Sequence, residues 1–283
     1  MTETPSVQNK DDSMDRLIED IYYCKACEKE QFAWCFKEHK TNTIPVPHKL
    51  PPIGALAEAK VIFVALNPRY SEKPGKSYNA DLHQYAMKSL EQFRALARNV
   101  DNHGNPYIAD PSEQTMDGKW EEFYRYHIKI IKDVYGRPFG EVALATEMFL
   151  CASEAYGGVW RFPTKTSPCA KTFLVRTIKL AQPEPVGTIA PEPEPHFVVT
   201  FGKGIPEFFA RNVAGIDGYV IHLPFIFSTQ VMGSSGTAAL AVEWVISVMK
   251  ALQNNSEIPH PDWTGLPQEV WKYATNSKPV RIV

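Results

Sequence analysis

The stretch KVIFVALNP, residues 60–68, decides the fold class of this chain. Its first seven residues, Lys60–Leu66, form a short run of β-branched, aliphatic and aromatic side chains, as in a strand that is buried on both faces. Asn67-Pro68 then stops the run and predicts a tight turn. The stretch therefore predicts an inner strand of a sheet with a loop at its carboxyl end.

Further strands alternate with helices along the chain. The predicted strands are the core of Glu141–Leu150, then His196–Phe201 and Gly218–Phe227. The predicted helices are Met14–Tyr23, Asp81–Val100, Trp120–Tyr135, Cys169–Leu180, Ile205–Asn212 and a last helix that follows Gly236. This alternation predicts an α/β fold with a mostly parallel sheet that is covered by helices on both faces. Ligands of such sheets bind at the carboxyl ends of the strands.

The composition is that of an ordinary globular protein of 283 residues, with a net charge of −2. We expect a disordered lead at 1–14, one domain at 15–253 with an N-terminal metal-anchored segment, and an irregular tail at 254–283. No apolar run reaches the roughly 18 residues that a membrane span needs. The first residues also lack an apolar signal core. We therefore expect a cytoplasmic, monomeric protein with no membrane partner.

One stretch of the sequence is basic, although the chain as a whole has a slightly negative net charge. Between Ala155 and Pro183 there are five basic residues and no acidic one: Arg161, Lys165, Lys171, Arg176 and Lys179. Tyr156, Trp160 and Phe162 lie in the same stretch. Basic groups for phosphates and aromatic rings for bases are what unpaired nucleotides require. A solvated loop that leads into a helix explains the same stretch equally well.

The five cysteines favour a metal site over disulfides, because a cytoplasm is reducing. Cys24 and Cys27 form a CxxC pair, and Cys151 and Cys169 lie far downstream. Together they would make a four-thiolate site that ties the N-terminal segment to the domain. A rival set is local and would form a small zinc module: Cys24, Cys27, Cys35 and His39. Buried apolar thiols are a third possibility.

Three polar features interrupt the apolar pattern at or near the ends of predicted strands. Asn67 directly follows one strand, and Glu147 lies inside another, otherwise apolar run. Ser234 and Ser235 belong to a Gly-Ser-Ser-Gly sequence before the last helix, where a helix N-terminus suits a phosphate. Each feature also has a plainer explanation, respectively a turn, a strand-edge carboxylate and a helix N-cap.

Taken in order, these motifs resemble one family. The series runs through Cys24/Cys27, Ala65–Arg69, Gly75–Tyr78, Thr146–Cys151, Cys169–Leu174 and His196–Gly202. It is similar to the layout of the iron–sulfur uracil-DNA glycosylases of the family 4 type, over roughly residues 17–250. The resemblance implies a three-layer α/β sandwich. It also implies a 4Fe-4S cluster on Cys24, Cys27, Cys151 and Cys169, which leaves Cys35 as a spare thiol.

The sequence departs from the family pattern at three places. Asn67-Pro68 resembles instead the first motif of the mismatch-specific and single-strand-selective glycosylases, in which the Asn positions the attacking water. Glu147 stands where the family has a base-reading Asn. The family's His-Pro-Ser element is not recognisable, and His222 is the candidate donor to the leaving base. The resemblance assigns Tyr78 to stacking on the flipped base.

The resemblance implies a DNA glycosylase, which hydrolyses an N-glycosidic bond in DNA. An ionised Glu147 only accepts hydrogen bonds, so it would repel the carbonyls of uracil and pair with the amino group of cytosine. A modified cytosine, such as hydroxymethyl or glucosylated cytosine in phage DNA, is then the expected base, with antiviral defence as the setting. The alternatives are uracil excision in repair, an inactive nucleic-acid-binding protein on the same fold, and a zinc-anchored nucleic-acid module unrelated to glycosylases.

The cluster hypothesis predicts that Cys24→Ser lowers both the iron content and the thermal stability of the purified protein, because ligation joins distant segments of the chain. Cys35→Ser is the matched control and should change neither. Iron analysis, visible absorption and thermal melting measure the outcome. A structure with metal–sulfur bonds of about 2.3 Å to Cys35 rather than Cys151 would contradict the hypothesis.

Overall fold

The structure of the protein, a computed structural model, describes residues 7–24, 50–65, 89–98, 119–147, 170–181, 195–201, 218–223, 235–259 and 280–282. The helices are α1 (Val7–Tyr22), α2 (Leu90–Ala97), α3 (Lys119–Tyr135), the single turn α4 (Phe139–Val142), α5 (Val175–Ala181) and α6 (Ser235–Gln253). A π-helical turn at Ala170–Leu174 leads directly into α5. The strands are β1 (Ile53–Gly54), β2 (Val61–Ala65), β3 (Ala143–Glu147), β4 (Phe197–Phe201), β5 (Gly218–Leu223) and β6 (Val280–Ile282).

The six strands form one sheet in the order β1-β3-β2-β4-β5-β6. The four inner strands run parallel to one another, and β1 and β6 pair antiparallel at the two edges. A mixed, mostly parallel sheet with helices between its strands confirms the predicted α/β class. The two edge strands were not predicted, because runs of two and three residues are too short to show a period.

Strand β2 lies at the centre of the core. Its residues Val61–Val64 are at most 1% exposed, so both faces of the sheet are covered here. The ring of Phe63 stacks on Phe139 of α4, with 5.8 Å between the centroids. Burying one such side chain stabilises the fold by about 1.5–3 kcal/mol. In the ranges that the structure describes, no helix is long and apolar enough to cross a membrane.

The inner strands follow the sequence predictions closely. Strands β2 and β4 each begin one residue later than predicted. Leu66, the predicted last residue of β2, lies outside the described residues. Strand β3 confirms that the core of 141–150 is extended, but Glu141 and Val142 belong to the helical turn α4. The last four residues of the predicted strand 218–227 lie outside the described residues.

Two helix predictions need correction. Ser89 is extended, with φ −154° and ψ 158°, and its side chain accepts a hydrogen bond from the Gln92 backbone N–H. A helix continuous over 81–100 is therefore wrong, because Ser89 is the N-cap of a helix that begins at Leu90. Residues 81–88 and the predicted helix at 205–212 lie outside the described residues. Helix α3 begins one residue before its predicted start.

The two ends of the domain also differ from expectation. Helix α1 begins at Val7, so half of the expected disordered lead is helical. The polar residues before Met14 extend a helix whose buried face is Met14, Leu17, Ile18 and Ile21, because extending a formed helix is far easier than starting one. The expected irregular tail contains β6, which pairs with β5.

Helix α1 is held to α2 and α5 by ion pairs as well as by its apolar face. Glu19 pairs with Arg94 at 2.9 Å and Asp20 with Arg176 at 2.8 Å, and Asp15 pairs with Arg98. All six side chains are more than a third exposed, so each pair contributes little, typically about 0–1 kcal/mol. The apolar face therefore supplies most of the attachment.

Gly54 in β1 has a backbone that only glycine adopts readily, with φ +120°. A Cβ built on it would collide with the carbonyl oxygen of Ala143. We predict that Gly54→Ala lowers the free energy of unfolding by about 3 kcal/mol, the upper end of the cost of backbone strain. Gly136→Ala is the control, because Gly136 also has positive φ but has open space around it.

Urea denaturation measures both variants. Gly136→Ala should cost only about 1–2 kcal/mol, the penalty of the left-handed region alone. Equal costs for the two variants would mean that the collision at β1 is relieved by movement of the edge strand.

Candidate functional site

The carboxyl ends of the inner strands define one edge of the sheet. Ala65, the last residue of β2, pairs with Glu147, the last residue of β3. Strand β2 lies between β3 and β4. Along the chain, β3 follows β2 and pairs with it on one side, and β4 comes next and pairs with it on the other side. Such a reversal is a topological switch point, and ligands of α/β sheets bind in the crevice beside it.

Glu147 is a buried carboxyl at this edge. Its side chain is 5% exposed, and its Oε2 accepts no hydrogen bond from the residues that the structure describes. It lines a small cavity of about 10 Å³, partly open to solvent and with room for about one water molecule, together with residues that include Leu50, Phe63, Ala65 and His127. Burial raises the pKa of the Glu147 carboxyl well above its ordinary value, because the ionised form loses its hydration.

His127 of α3, a residue that was not predicted from the sequence, also lines the cavity. Its side chain is 6% exposed, and its ring meets Phe63 edge to face with 4.6 Å between the centroids. His127 stands three and four residues before the buried Ile130 and Ile131. A polar residue on the apolar face of an amphipathic helix was the signal that could have identified it.

A second polar group lies on the other face of the sheet. Thr200 of β4 is cross-strand partner to His222 of β5, and the Thr200 Oγ1 lies 2.7 Å from the His222 Nδ1. Burial lowers the pKa of His222 to about 4, because the charged ring would lose its hydration. His222 is therefore neutral at physiological pH. When the Thr200 hydroxyl donates to Nδ1, the ring carries its proton on Nε2.

The structure brings Glu147 and His222 to the same edge of the sheet but not to the same face. Thr146, Val64, Thr200 and His222 lie in one row across the four inner strands. Alternation along β3 places Glu147 on the face opposite to Thr146. Three strand spacings, about 14 Å, separate β3 from β5. One pyrimidine ring cannot contact both side chains in this arrangement.

Of the proposed metal ligands, the structure describes Cys24. It lies two residues after the end of α1 and is half-buried against the core. Cys27, Cys151 and Cys169 lie outside the described residues, and the described part of the chain contains no group of three or more His, Cys, Asp or Glu side chains that could hold a metal. Helix α1 packs against α5, and in the sequence Cys169 directly precedes the π-helical turn that leads into α5. The donor set Cys24, Cys27, Cys151 and Cys169 stays a prediction.

The remaining predicted site residues are placed only in part. Asn67, Tyr78 and Ser234 lie outside the described residues. Ser235 is the first residue of α6, which therefore begins two residues earlier than the predicted start after Gly236. In the basic stretch, Arg176 is already paired with Asp20. Lys171 and Lys179 are exposed, and the other two basic residues lie outside the described ranges.

Neither a protein-family model nor a curated protein sequence matches this chain. The case for its function therefore rests on its residues and on the site at the carboxyl ends of β2 and β3.

The lowered pKa of His222 predicts that the protein loses stability as the pH falls from about 6.5 to about 4. Over this range the unfolded chain binds a proton at residue 222 that the folded chain does not, so the free energy of unfolding drops. The shift corresponds to a loss of roughly 3 kcal/mol. Urea denaturation of the wild type and of His222→Gln at a series of pH values measures it.

The variant should show the shallower pH dependence, because its side chain does not titrate. Identical slopes for the two proteins would show that His222 takes up its proton equally well in the folded state.

Proposed function

We propose that this protein is a DNA glycosylase that flips a base out of DNA and hydrolyses its N-glycosidic bond, with a cytosine-type base as its substrate. The observation that carries the proposal is the buried carboxyl of Glu147, which lines a cavity at the carboxyl edge of the sheet, beside the switch point. An enzyme that acts on a flipped base needs hydrogen-bonding groups for the edge of the base in a site that excludes water.

The finer fold belongs to the same proposal. We infer a three-layer sandwich of the uracil-DNA glycosylase type, as the resemblance of the ordered motifs implies. The mostly parallel sheet and the burial of β2 on both faces support it. So does the position of Glu147 at the end of β3, since the family's base-reading residue stands at the corresponding place in its motif.

Recognition of the base depends on the protonation state of Glu147. The ionised carboxylate accepts from the amino group of cytosine and repels the carbonyls of uracil. Burial, however, favours the protonated form, which donates one hydrogen bond and accepts another, as the family's Asn amide does. The raised pKa therefore favours a second candidate activity, uracil excision in repair, alongside excision of a cytosine-type base.

The other catalytic roles come from the resemblance. Asn67 would position the attacking water below C1′ and Tyr78 would stack on the base. In the sequence Asn67 follows Ala65 by two residues, and Ala65 pairs with Glu147. Ser234 and Ser235 would bind a DNA phosphate at the N-terminus of α6. His222 would donate a hydrogen bond from its neutral ring, and its place on the opposite face from Glu147 favours another part of the nucleotide over the same base edge.

A 4Fe-4S cluster on Cys24, Cys27, Cys151 and Cys169, with zinc as the alternative metal, completes the proposal. The thiolate donor set suits either metal. When bound, it would anchor the segment after α1 to the domain. The packing of α1 against α5 is compatible with this, because Cys24 follows one helix and Cys169 precedes the π-helical turn before the other.

Unmodified cytosine would be a hazardous substrate in a cell's own genome. A modified cytosine, such as hydroxymethyl or glucosylated cytosine in phage DNA, is the proposed base, and defence against such phages is the proposed setting. We propose DNA as the partner and a monomer as the working form.

Excision assays test the proposal. The purified protein is incubated with DNA duplexes and single strands that carry uracil, hypoxanthine, cytosine, hydroxymethylcytosine or glucosylated cytosine, and alkali then cleaves any abasic site. We expect strand cleavage with the modified cytosines. Glu147→Asn, which restores the family's amide, should shift the ratio of rates towards uracil by about 1–3 kcal/mol, or about fivefold to 150-fold.

Asn67→Ala is the catalytic control and should lower the rate at least tenfold, about 1.4 kcal/mol of transition-state stabilisation, while DNA binding is kept. Excision of uracil with the modified cytosines untouched would overturn the choice of base. DNA binding without excision of any base would favour the inactive nucleic-acid-binding protein.

A further inference from the structure

We propose that Glu147 is the general acid of base excision, and that its carboxyl proton passes to ring nitrogen N3 of the cytosine-type base as the glycosidic bond breaks. The inference rests on the function proposed above and deepens it. It assigns to one side chain both the reading of the base and the activation of the leaving group.

The surroundings of Glu147 favour the protonated acid. Leu50, Phe63 and Ala65 give the cavity an apolar wall, and His127 of α3 is the one other titratable side chain among the described residues that line it. No Arg or Lys among those lining residues faces the carboxyl to stabilise its charge. The low exposure of Glu147 and the missing hydrogen bond at Oε2 within the described part of the chain leave its proton available to a ligand.

A protonated carboxyl matches the Watson–Crick edge of cytosine. Its O–H donates to N3, which is an acceptor, and its carbonyl oxygen accepts from the exocyclic amino group. This pairing directs the acidic O–H of Glu147 at N3, the ring atom that must receive the proton. Uracil has an N–H at position 3 instead, so it can be held by the same carboxyl but cannot take up the proton there.

The chemistry explains why a cytosine-type base needs an acid. Uracil can leave as an anion whose charge spreads over two carbonyls, whereas cytosine has a single carbonyl and is the poorer leaving group. When N3 takes the proton, the O–H bond of Glu147 breaks and the N3–H bond forms. The electron pair of the C1′–N1 bond then moves into the ring, and the base leaves as a neutral molecule.

The remaining charges also balance. Glu147 is left as a carboxylate, and the sugar carbon, which has gained positive charge, takes up a water molecule. The water releases its second proton to solvent, and Glu147 regains a proton after the base departs. General acid catalysis of this kind contributes about 10²–10⁴ in rate.

Single-turnover excision of hydroxymethylcytosine by the wild type and Glu147→Gln tests the inference. Gln has the shape of Glu and keeps one donor and one acceptor, but it has no acidic proton to give. We expect its rate to be at least 100-fold lower at acidic pH, near the lower end of the general-acid contribution. The wild-type rate should fall tenfold per pH unit above the pKa of Glu147, and the variant should show no such fall.

The substrate offers a matched change that leaves the protein intact. In the 3-deaza analogue of the same base, a C–H group replaces N3, so no proton can be received there. The wild type should excise it as slowly as Glu147→Gln excises the normal base, and the variant should lose nothing further. The 3-deaza analogue and the wild-type pH profile test the acid role of Glu147 even if Glu147→Gln does not fold.

Two further controls separate the possible outcomes. His127→Gln should keep the fall in rate with pH, and a flat profile in that variant would assign the titration to His127 instead. Full excision of the 3-deaza base, or a Glu147→Gln rate within threefold of wild type, would overturn the acid role alone. A wild type that excises no base under any condition would overturn the proposed function together with it.

Discussion

Val64 pairs with Thr146 on one side and with Thr200 on the other, and this double parallel pairing of β2 fixes where the inner strands end. Side chains alternate along a strand, so a slip of one residue would move Glu147 to the opposite face. The apolar residues of β2 and β3 resist that slip because both faces are buried. The cavity at the carboxyl ends of β2 and β3 therefore depends on the packing of these two strands.

The helices and strands that could be predicted are those in which an apolar run or an amphipathic period extends over many residues. The apolar run of β2 and the amphipathic pattern of α3 each extend over enough residues to give a clear period or a buried run. The edge strands β1 and β6 have two and three residues and give none. Ser89 was missed for a different reason, since a single cap residue breaks a helix pattern without changing the apolar spacing on either side.

The candidate site was predictable where a charged residue stood within an otherwise apolar stretch of sequence. Glu147 stood out inside an apolar run, and the structure places it, buried, at the carboxyl edge. His127 did not stand out, because its role depends on which strand residue α3 covers, namely Phe63. The separation of Glu147 and His222 was equally hidden, because only the register across four strands assigns them to opposite faces.

The shortness of the two outer strands has a consequence for how the protein behaves at high concentration. An edge strand presents unpaired backbone groups on which another chain can add a strand and begin to aggregate. Within the described ranges of the chain, β1 ends the sheet with two residues and β6 with three. Gly54, whose backbone has φ +120°, also bends one edge away from an extended geometry. Templates this short offer an incoming strand few hydrogen bonds, so the part of the sheet that the structure describes is poorly suited to growing into an intermolecular β-structure.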